Sequence, residues 1–159
     1  MRLALTALVA TLVLAGCNGP KTGQAMPDVK LVAADGALVS PDQNKGKVVL
    51  YVFSGIGCSP CDQLAPYVRK IRSDFSASQV VVYDCNVWDD TLAGAKKLEE
   101  HSGVPSVQGG KAIHDWLGIQ YIPSFAVMDG QGRLSAFKDG VDSPDELIDA
   151  IKGALATKG

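Results

Sequence analysis

The pair Cys58 and Cys61, separated by Ser59 and Pro60, is the feature of this sequence that most directly suggests a chemistry. Two thiols at this spacing, the second on the first turn of a helix, can close a disulfide of about 2.05 Å. Unpaired N–H groups at a helix N-terminus favour negative charge and lower the pKa of a thiol from about 8.5 towards 7 or below. We therefore expect Cys58 to be a nucleophile and Cys61 to be the thiol that resolves its mixed disulfides.

Other kinds of site use the same cysteine spacing, including structural zinc centres and inert structural disulfides. A tetrahedral zinc site needs two more ligands, for which Cys85, His101 and His114 are the candidates, without a paired spacing. Both thiolates with a histidine could instead bind Cu(I), because soft sulfur ligands suit that ion. We predict no bound metal and no cofactor, while these alternatives stay open.

The elements that must position the cysteines are predicted from apolar periodicity and turn residues. Val48–Phe53 is a continuous apolar run, typical of a central strand that is buried on both faces. After the cysteines, Leu64, Val68 and Ile71 recur at helical spacing and predict an amphipathic helix. The other predicted elements are a hairpin across Val29–Val39, a strand at Val80–Tyr83, helices at Thr91–His101 and Lys111–Leu117, a hairpin of Ser124–Met128 and Arg133–Lys138, and a last helix that begins with a capping box of Ser143 and Glu146. The order strand, helix, strand indicates a parallel pair within one α/β domain.

The N-terminal residues indicate export. Leu3–Ala15 follows Arg2 and is too short to cross a hydrocarbon core of about 30 Å as a permanent helix. It ends in Leu14-Ala15-Gly16-Cys17, which resembles the lipobox of bacterial lipoproteins, where the cysteine is acylated and becomes the mature N-terminus. We therefore predict a signal peptide at 1–16, a lipidated N-terminus and flexible tether at 17–27, and a folded domain at 28–159. An ordinary secretory signal with an incidental cysteine is the alternative.

The charge distribution argues against nucleic-acid binding. Charged residues make up 20% of the chain, the formal net charge is -2, and the fifteen Lys and Arg residues are scattered along it. A protein that binds phosphate backbones needs a clustered basic surface, which this pattern does not supply. We therefore predict that the protein does not bind nucleic acid.

Several segments together resemble the thioredoxin-like thiol-disulfide oxidoreductases of the exported TlpA/ResA-like branch. They are Lys45–Leu50 ahead of the cysteines, Ala65-Pro66 after them, Trp116–Phe125 and Asp129–Arg133. The resemblance covers residues 27 to 157. It implies an α/β thioredoxin-like fold, with a central mixed sheet flanked by helices, an N-terminal β-hairpin and an inserted helical segment, and it places Pro66 inside the helix that follows the cysteines.

The same resemblance implies a function. Pro123 matches the family's cis-proline that faces the cysteine pair, and Ile122 before it would offer main-chain hydrogen bonds to an extended substrate. The expected substrate-binding residues are Gly57, Ser59, Pro60, Ile122 and Pro123. The protein would be a monomer, anchored by lipid to the extracytoplasmic side of a bacterial membrane, and would reduce disulfides of protein substrates with electrons from a membrane thiol relay. A Cu(I)-binding metallochaperone lipoprotein, or a binding lipoprotein that keeps the bridge only for stability, is the alternative.

Three residues of the family pattern are missing. Thioredoxins place Trp immediately before the first cysteine and a buried acid six residues before it, where this chain has Gly57 and Val52. ResA-like proteins have Glu three residues after the second cysteine, where Leu64 stands. We therefore expect an open active-site loop and a different proton acceptor for Cys61: Asp62, Asp84 or a bound water.

Five other residues carry less specific expectations. Cys85 follows the second strand and is expected to be a small buried residue, with a third redox thiol or an intermolecular bridge as alternatives. His101 is expected at a helix end and His114 on the surface. Trp116 is expected to pack in the core, and Trp88 either to pack or to border a substrate groove.

Overall fold

The structure is a computed structural model, and it describes residues 19–157. In chain order its elements are β1 (Leu31–Ala33), β2 (Leu38–Val39), β3 (Val48–Ser54), α1 (Ser59–Asp74), β4 (Val80–Asn86), α2 (Leu92–Ser102), β5 (Val107–Gln108), α3 (Gly110–Leu117), β6 (Ser124–Met128), β7 (Leu134–Lys138) and α4 (Pro144–Ala156). A 3₁₀ helix, Pro41–Asn44, lies between β2 and β3.

A four-stranded mixed sheet forms the centre of the molecule, in the order β4-β3-β6-β7. β3 pairs in parallel with β4 and antiparallel with β6, and β7 is antiparallel to β6. The N-terminal hairpin is present as β1 and β2, and β5 joins it in a separate three-stranded sheet. The predicted mixed α/β architecture is confirmed, and α2 and α3, between β4 and β6, correspond to the predicted inserted helical segment.

The alternation of side chains along β3 divides the core into two layers. Leu50 and Val52 face the layer that contains α1 and α4, whereas Tyr51 and Phe53 face the layer that contains α3. Every residue of β3 is buried, as its continuous apolar run predicts. Full burial of such an apolar side chain stabilises the folded state by about 1.5–3 kcal/mol. β3 therefore holds the start of the segment that follows it in a stable position.

The predicted helix ends are confirmed where they depend on nearby residues. Thr91 caps α2, and its hydroxyl accepts a hydrogen bond from Gly94 N–H at 2.9 Å. Ser143 and Glu146 form the predicted capping box of α4. Pro66 lies inside α1, as the resemblance implies.

Two short elements and one histidine differ from the expectations. β5 has two residues and the 3₁₀ helix has four, lengths over which no periodicity can be detected. The surface position expected for His114 is wrong, because the side chain is half-buried and its ring meets Phe53 edge-on, with the centroids 5.6 Å apart. His114 follows the buried Ile113 in α3, so it lies at the border of the helix face that packs on the sheet.

Part of the segment predicted to be a tether is hydrogen-bonded to the sheet. Gly23 N–H donates to the Leu134 carbonyl at 2.7 Å, and Leu134 N–H donates to the Gln24 carbonyl at 2.8 Å. Ala25 forms an antiparallel bridge with Arg133. Composition alone carries no information about such pairing, and the hydrogen-bonded part of the chain begins before residue 28.

The predicted signal peptide at 1–16 and the predicted lipidation site, Cys17, lie outside the described residues. Within residues 19–157, none of the helices combines the length and the apolar character that crossing a membrane requires.

Candidate active site

Cys58 and Cys61 form a disulfide at the N-terminus of α1, with the sulfurs 2.08 Å and the Cα atoms 5.2 Å apart. Cys58 is the N-cap of the helix, and Cys61 lies on its first turn, as the spacing predicts. Cys61 N–H donates to Cys58 Sγ at 3.3 Å. A backbone donor and a helix N-terminus both favour negative charge at this sulfur, so the geometry suits Cys58 as the nucleophile.

The chain between β3 and α1 is shaped by a tight turn. Gly57 has a φ of 89°, a left-handed conformation that favours glycine, and Cys58 N–H donates to the Gly55 carbonyl at 3.1 Å. Pro60 lies in the first turn of α1, where its missing N–H removes no helical hydrogen bond. The turn therefore takes the chain directly from a buried strand to the helix entrance.

Pro123 lies close to the disulfide, because it lines the same small cavity as Cys61. The Ile122–Pro123 peptide bond is cis, which confirms the expectation from the resemblance. The Pro123 carbonyl accepts a hydrogen bond from Val141 N–H at 2.9 Å, whereas the backbone N–H and carbonyl of Ile122 form no hydrogen bond within residues 19–157. Ile122 therefore presents free backbone groups just before β6.

The other expected substrate-binding residues lie around the disulfide in the chain. Gly57, Ser59 and Pro60 are exposed, and Ile122 is half-buried. Pro60 and the buried Pro123 line one surface pocket, and the contact of all these residues with a substrate stays a prediction.

A buried carboxyl group lies behind Cys61, on the neighbouring strand. Asp84 is opposite Val52 in the pairing of β4 with β3, and it is 4% exposed. Ser54 Oγ donates to Asp84 Oδ1 at 2.6 Å. Burial raises the pKa of Asp84 to about 6, against the lowering effect of hydrogen bonds from Ser54 and Ser102.

Asp84 and Cys61 line one cavity of about 10 Å³. This volume is close to the smallest that holds one water molecule. Asp62 and His101 also line the cavity; both are exposed, and Asp62 Oδ1 lies 2.7 Å from His101 Nε2. Of the two acids considered for Cys61, Asp62 therefore lies on the solvent side of the cavity and Asp84 on its buried side.

Trp88 reaches the active-site loop from the segment that follows β4. A Cβ placed on Gly55 would lie 2.5 Å from Trp88 Cε3, so the indole ring rests on this glycine. The buried Asn86 holds the segment in place, because its Oδ1 accepts hydrogen bonds from the N–H groups of Trp88 and Asp89 at 3.2 and 3.1 Å. The loop is therefore covered at Gly55 rather than open there, although Trp88 itself remains 62% exposed.

Sequence reasoning did not identify Ser54, Asn86 and Ser102 as residues of this site. All three are buried polar residues. One pattern could have indicated the first two, since Ser54 and Asn86 end adjacent parallel strands, at the sheet edge where open α/β folds place their ligands. No pattern along the chain distinguishes Ser102 from any other serine at a helix end.

Cys85 is fully buried in the layer that contains α3. Gly110 lies against its side chain, so close that a Cβ at that position would overlap the sulfur. Burial raises the pKa of the Cys85 thiol well above its ordinary value. The expectation of a small buried residue is confirmed, and the fold gives this thiol no access to an intermolecular bridge.

The zinc and copper alternatives both require more ligands than the cysteine pair. Within the part of the chain that the structure describes, no group of three or more His, Cys, Asp or Glu side chains is placed to hold a metal ion. His101 is engaged with Asp62, and His114 packs on Phe53. The described geometry therefore lends neither alternative specific support.

We expect Gly55→Ala to displace the Trp88 ring and to lower the free energy of unfolding by about 1–3 kcal/mol, because the new Cβ would overlap the indole. Trp88 fluorescence, recorded in a Trp116→Phe background, should shift to longer wavelength as the ring moves into solvent. Gly153→Ala is the matched control, since nothing lies within 4 Å of a Cβ at that helical position. Unchanged emission and stability in Gly55→Ala would contradict this placement of Trp88.

The raised pKa of Asp84 also predicts a pH dependence of stability. The folded state binds this proton more tightly than the unfolded state, so the stabilisation is complete below about pH 4 and is lost as the pH rises through about 6. Asp84→Asn keeps the shape of the side chain without its charge. We expect it to exceed the wild type in stability by about 2–3 kcal/mol near pH 7.5, at ~1.4 kcal/mol per pKa unit, and by little near pH 4.

Urea denaturation of the oxidised proteins at both pH values measures this difference. Asp74→Asn is the control, because it removes an exposed carboxylate. A gain in Asp84→Asn of the same size at both pH values would rule out charge burial as its cause.

The sequence matches the family model described as Redoxin over residues 21–153. The thiol-disulfide oxidoreductase ResA of Bacillus anthracis is 21% identical over 133 residues, which cover 82% of this chain and 76% of ResA. ResA of Bacillus cereus is 20% identical over 132 residues, with the same coverage of both chains.

Solved structures show the fold. The thioredoxin domain of a thiol-disulfide oxidoreductase from Bacteroides vulgatus superposes with a TM-score of 0.67 at 24% identity, covering 86% of this chain and 99% of that one. A protein assigned as the thiol:disulfide interchange protein DsbE of Chlorobium tepidum gives a TM-score of 0.71 at 21% identity, covering 85% and 98%. With a disulfide between Cys58 and Cys61 at a helix entrance, the chain belongs to the Redoxin family and is a thiol-disulfide oxidoreductase with a thioredoxin-like fold.

Proposed function

We propose that this protein is a lipid-anchored, extracytoplasmic reductase of protein disulfides, with Cys58 as the nucleophile and Cys61 as the resolving thiol. The observation that carries the proposal is the Cys58–Cys61 disulfide at the N-terminus of α1, beside the free backbone of Ile122. Disulfide exchange with another protein needs an anionic sulfur and a surface that holds the partner chain next to it.

The free backbone groups of Ile122 suit an extended substrate segment. Such a segment could pair with Ile122 as an added strand, since main-chain hydrogen bonds give affinity without selecting side chains. Two large side chains border this surface, because Tyr121 precedes Ile122 and is 70% exposed, and Trp88 covers Gly55. Gly57, Ser59, Pro60 and Pro123 complete the proposed binding surface. Together these features favour protein substrates whose cysteine lies in an extended, partly apolar segment.

In the reducing direction the reaction has two exchange steps. The Cys58 thiolate attacks one sulfur of the substrate disulfide, forms a mixed disulfide and releases the first substrate thiolate. Cys61 then loses its proton and attacks Cys58 Sγ, so that the Cys58–Cys61 bond forms as the bond to the substrate breaks. Two electrons pass from the enzyme dithiol to the substrate, and the disulfide of the structure is the product of this cycle.

Each turnover oxidises the enzyme, so a dithiol donor must reduce it again. A membrane thiol relay would supply these electrons outside the cytoplasm, and a lipid on Cys17 would keep the domain beside that relay. A multiply acylated cysteine anchors stably, because each buried methylene contributes ~0.8 kcal/mol. The resemblance to the TlpA/ResA-like branch supports the direction of electron transfer and the relay, and the lipobox pattern supports the anchor. A monomer is sufficient for these reactions, and we propose that the protein is one.

We expect Cys58→Ala to abolish the acceleration of insulin reduction by dithiothreitol, with a loss of at least about 100-fold, because no nucleophile remains. The assay uses the full chain with Cys17→Ser, which removes the lipid. Cys61→Ser should also lose turnover, because Cys58 can still form a mixed disulfide with the substrate but no thiol remains to resolve it. This mixed disulfide should accumulate on Cys58 and be detected by mass spectrometry.

Equilibration with glutathione should give a reduction potential below about −200 mV, in the range of thioredoxins and glutaredoxins. Insulin reduction that survives Cys58→Ala would overturn the assignment of the nucleophile. A potential near ~−120 mV would favour an oxidase instead, and stoichiometric Cu(I) binding without exchange would favour the metallochaperone.

We expect Cys17→Ser to abolish incorporation of labelled palmitate, because the acylated sulfur is lost. Lys21→Ala is the matched control and should keep the label and remain with the membrane. Release of the wild-type protein in soluble form, without label, would support an ordinary secretory signal.

A further inference from the structure

The second step of the proposed exchange requires an acceptor for the proton of the Cys61 thiol. Cys61 must be deprotonated before its sulfur attacks Cys58, yet its side chain is only 7% exposed. Val52 and Leu64, at the positions where related proteins carry an acid, are apolar. A base that serves Cys61 must therefore come from another part of the fold, and it must lie within hydrogen-bond reach directly or through one water.

We propose that Asp84 of β4 accepts the Cys61 proton through a single water in the cavity that both residues line. The inference rests on the proposed exchange reaction and adds the group that makes its resolving step fast. Among the described residues that line this cavity, Asp84 is the buried acid, while Asp62 is exposed and paired with His101. Thioredoxins carry this acid at the position of Val52 in β3, whereas here it lies on the adjacent strand, β4.

The cavity has the size and the lining that one water needs. Its volume is about 10 Å³, and a buried water requires about 10–15 Å³ and two to four polar partners. Asp84 and the hydroxyl-bearing Ser54 and Ser102 line it together with Cys61. Val52 and Leu64 contribute apolar surface to its wall.

Among the described residues no charged side chain forms an ion pair with Asp84, although the charge of His101 opposes the rise in the pKa of Asp84. From α1, Asp62 lines the cavity, and from α2 its partner His101 does so. The Arg69 guanidinium of α1 donates to the Ser102 carbonyl at 2.5 Å, and the Glu99 carboxylate of α2 accepts from Ser106 N–H at 2.9 Å. Cys85, the next residue in the chain, faces the opposite layer.

The transfer balances within the exchange reaction. The Cys61 thiol passes its proton to the water, which passes one to the Asp84 carboxylate. The Cys61 thiolate then attacks Cys58 Sγ; the Cys58–Cys61 bond forms, the bond from Cys58 to the substrate breaks, and the substrate leaves as a thiolate. The substrate disulfide is the oxidant, and the Asp84 proton later leaves past His101 at the solvent side of the cavity.

The environment of Asp84 suits this role. Burial raises the pKa of Asp84 to about 6, so the group is ionised at neutral pH and ready to accept a proton. The raised pKa also makes Asp84 a stronger base than an exposed carboxylate. The difference between its pKa and that of a thiol is therefore smaller, which favours proton transfer.

The test follows the full chain carrying Cys17→Ser, in its reduced form, as it reacts with 5,5′-dithiobis(2-nitrobenzoate) in a stopped-flow spectrometer. The first coloured thiolate reports attack by Cys58, and the second reports closure of the Cys58–Cys61 bond. In Asp84→Asn we expect a first phase within about twofold of the wild type and a second phase at least about tenfold slower at pH 7. The inflection of the second phase should lie near 6 in the wild type and move towards ~8.5 in the variant, where free thiols titrate.

Ser54→Ala separates proton transfer from a structural role. It removes a hydrogen bond that lowers the pKa of Asp84, so the inflection of the second phase should move to higher pH while Asp84 remains. Asp74→Asn, which changes an exposed carboxylate, should leave both phases unchanged.

Two failures are distinguishable. A wild-type protein without a first phase would overturn the proposed exchange function itself. A normal first phase with an unchanged second phase in Asp84→Asn, or an inflection that stays fixed in Ser54→Ala, would overturn the role of Asp84 and leave the exchange function standing.

Discussion

The active site depends on the register in which β3 and β4 pair. Seven residues of each strand are aligned in parallel, from Val48 opposite Val80 to Ser54 opposite Asn86. Because β3 continues into the cysteine loop, the residues at the end of β4 lie beside that loop. A slip of one residue would turn the side chains of β4 to the opposite face. Cys85 would then replace Asp84 behind Cys61, and the carboxyl group would enter the apolar layer under α3.

This register also explains how the fold tolerates an acid in its core. Asp84 loses hydration on burial, and the hydroxyl group of Ser54 recovers part of that loss by hydrogen bonding. The remaining cost is offset by the apolar core around it, which includes the adjacent strand β3, buried along its whole length. A group that destabilises the folded state at neutral pH while lining a reactive site is typical of proteins that exchange some stability for activity.

The sequence predicted those parts of the fold whose information is local. The apolar run of β3, the helical spacing of Leu64 and Val68, and the capping box at Ser143 each depend on neighbours within a few residues, and each is confirmed. β5 has two residues and so has no detectable period. The pairing of residues 23–26 with the start of β7 joins segments about a hundred residues apart, and no local pattern encodes it.

The residues of the candidate site also differ in whether the sequence alone could identify them. Cys58, Cys61 and Pro123 were identified because their family pattern is read along the chain, and the structure places them around one cavity and one helix entrance. Asp84 could be named as an acceptor but not chosen over Asp62, because the choice depends on which of the two is buried. Ser54 and Asn86 became visible only when the register showed that they end adjacent strands.

The two family residues missing near Cys58 have counterparts in space, and both come from β4 and the segment after it. Thioredoxins carry their buried acid at the position of Val52; here the acid is Asp84, directly opposite Val52 in the sheet. Neighbouring strands lie only about 4.8 Å apart, so moving the carboxyl group to the next strand keeps it on the same face and at a similar depth. Likewise, Gly57 stands in place of the usual Trp, and Trp88 covers the same loop at Gly55.

These two replacements are coupled through one short stretch of chain. Asn86 fixes the segment that carries Trp88, and it lies two residues after Asp84 on the same face of β4. A displacement of the end of β4 would therefore move the acid and the indole together, and with them the cavity behind Cys61 and the cover over Gly55. Because the indole rests directly on Gly55, a side chain there would overlap the present position of the Trp88 ring. The cover over Gly55 therefore depends on the register in which β4 pairs with β3.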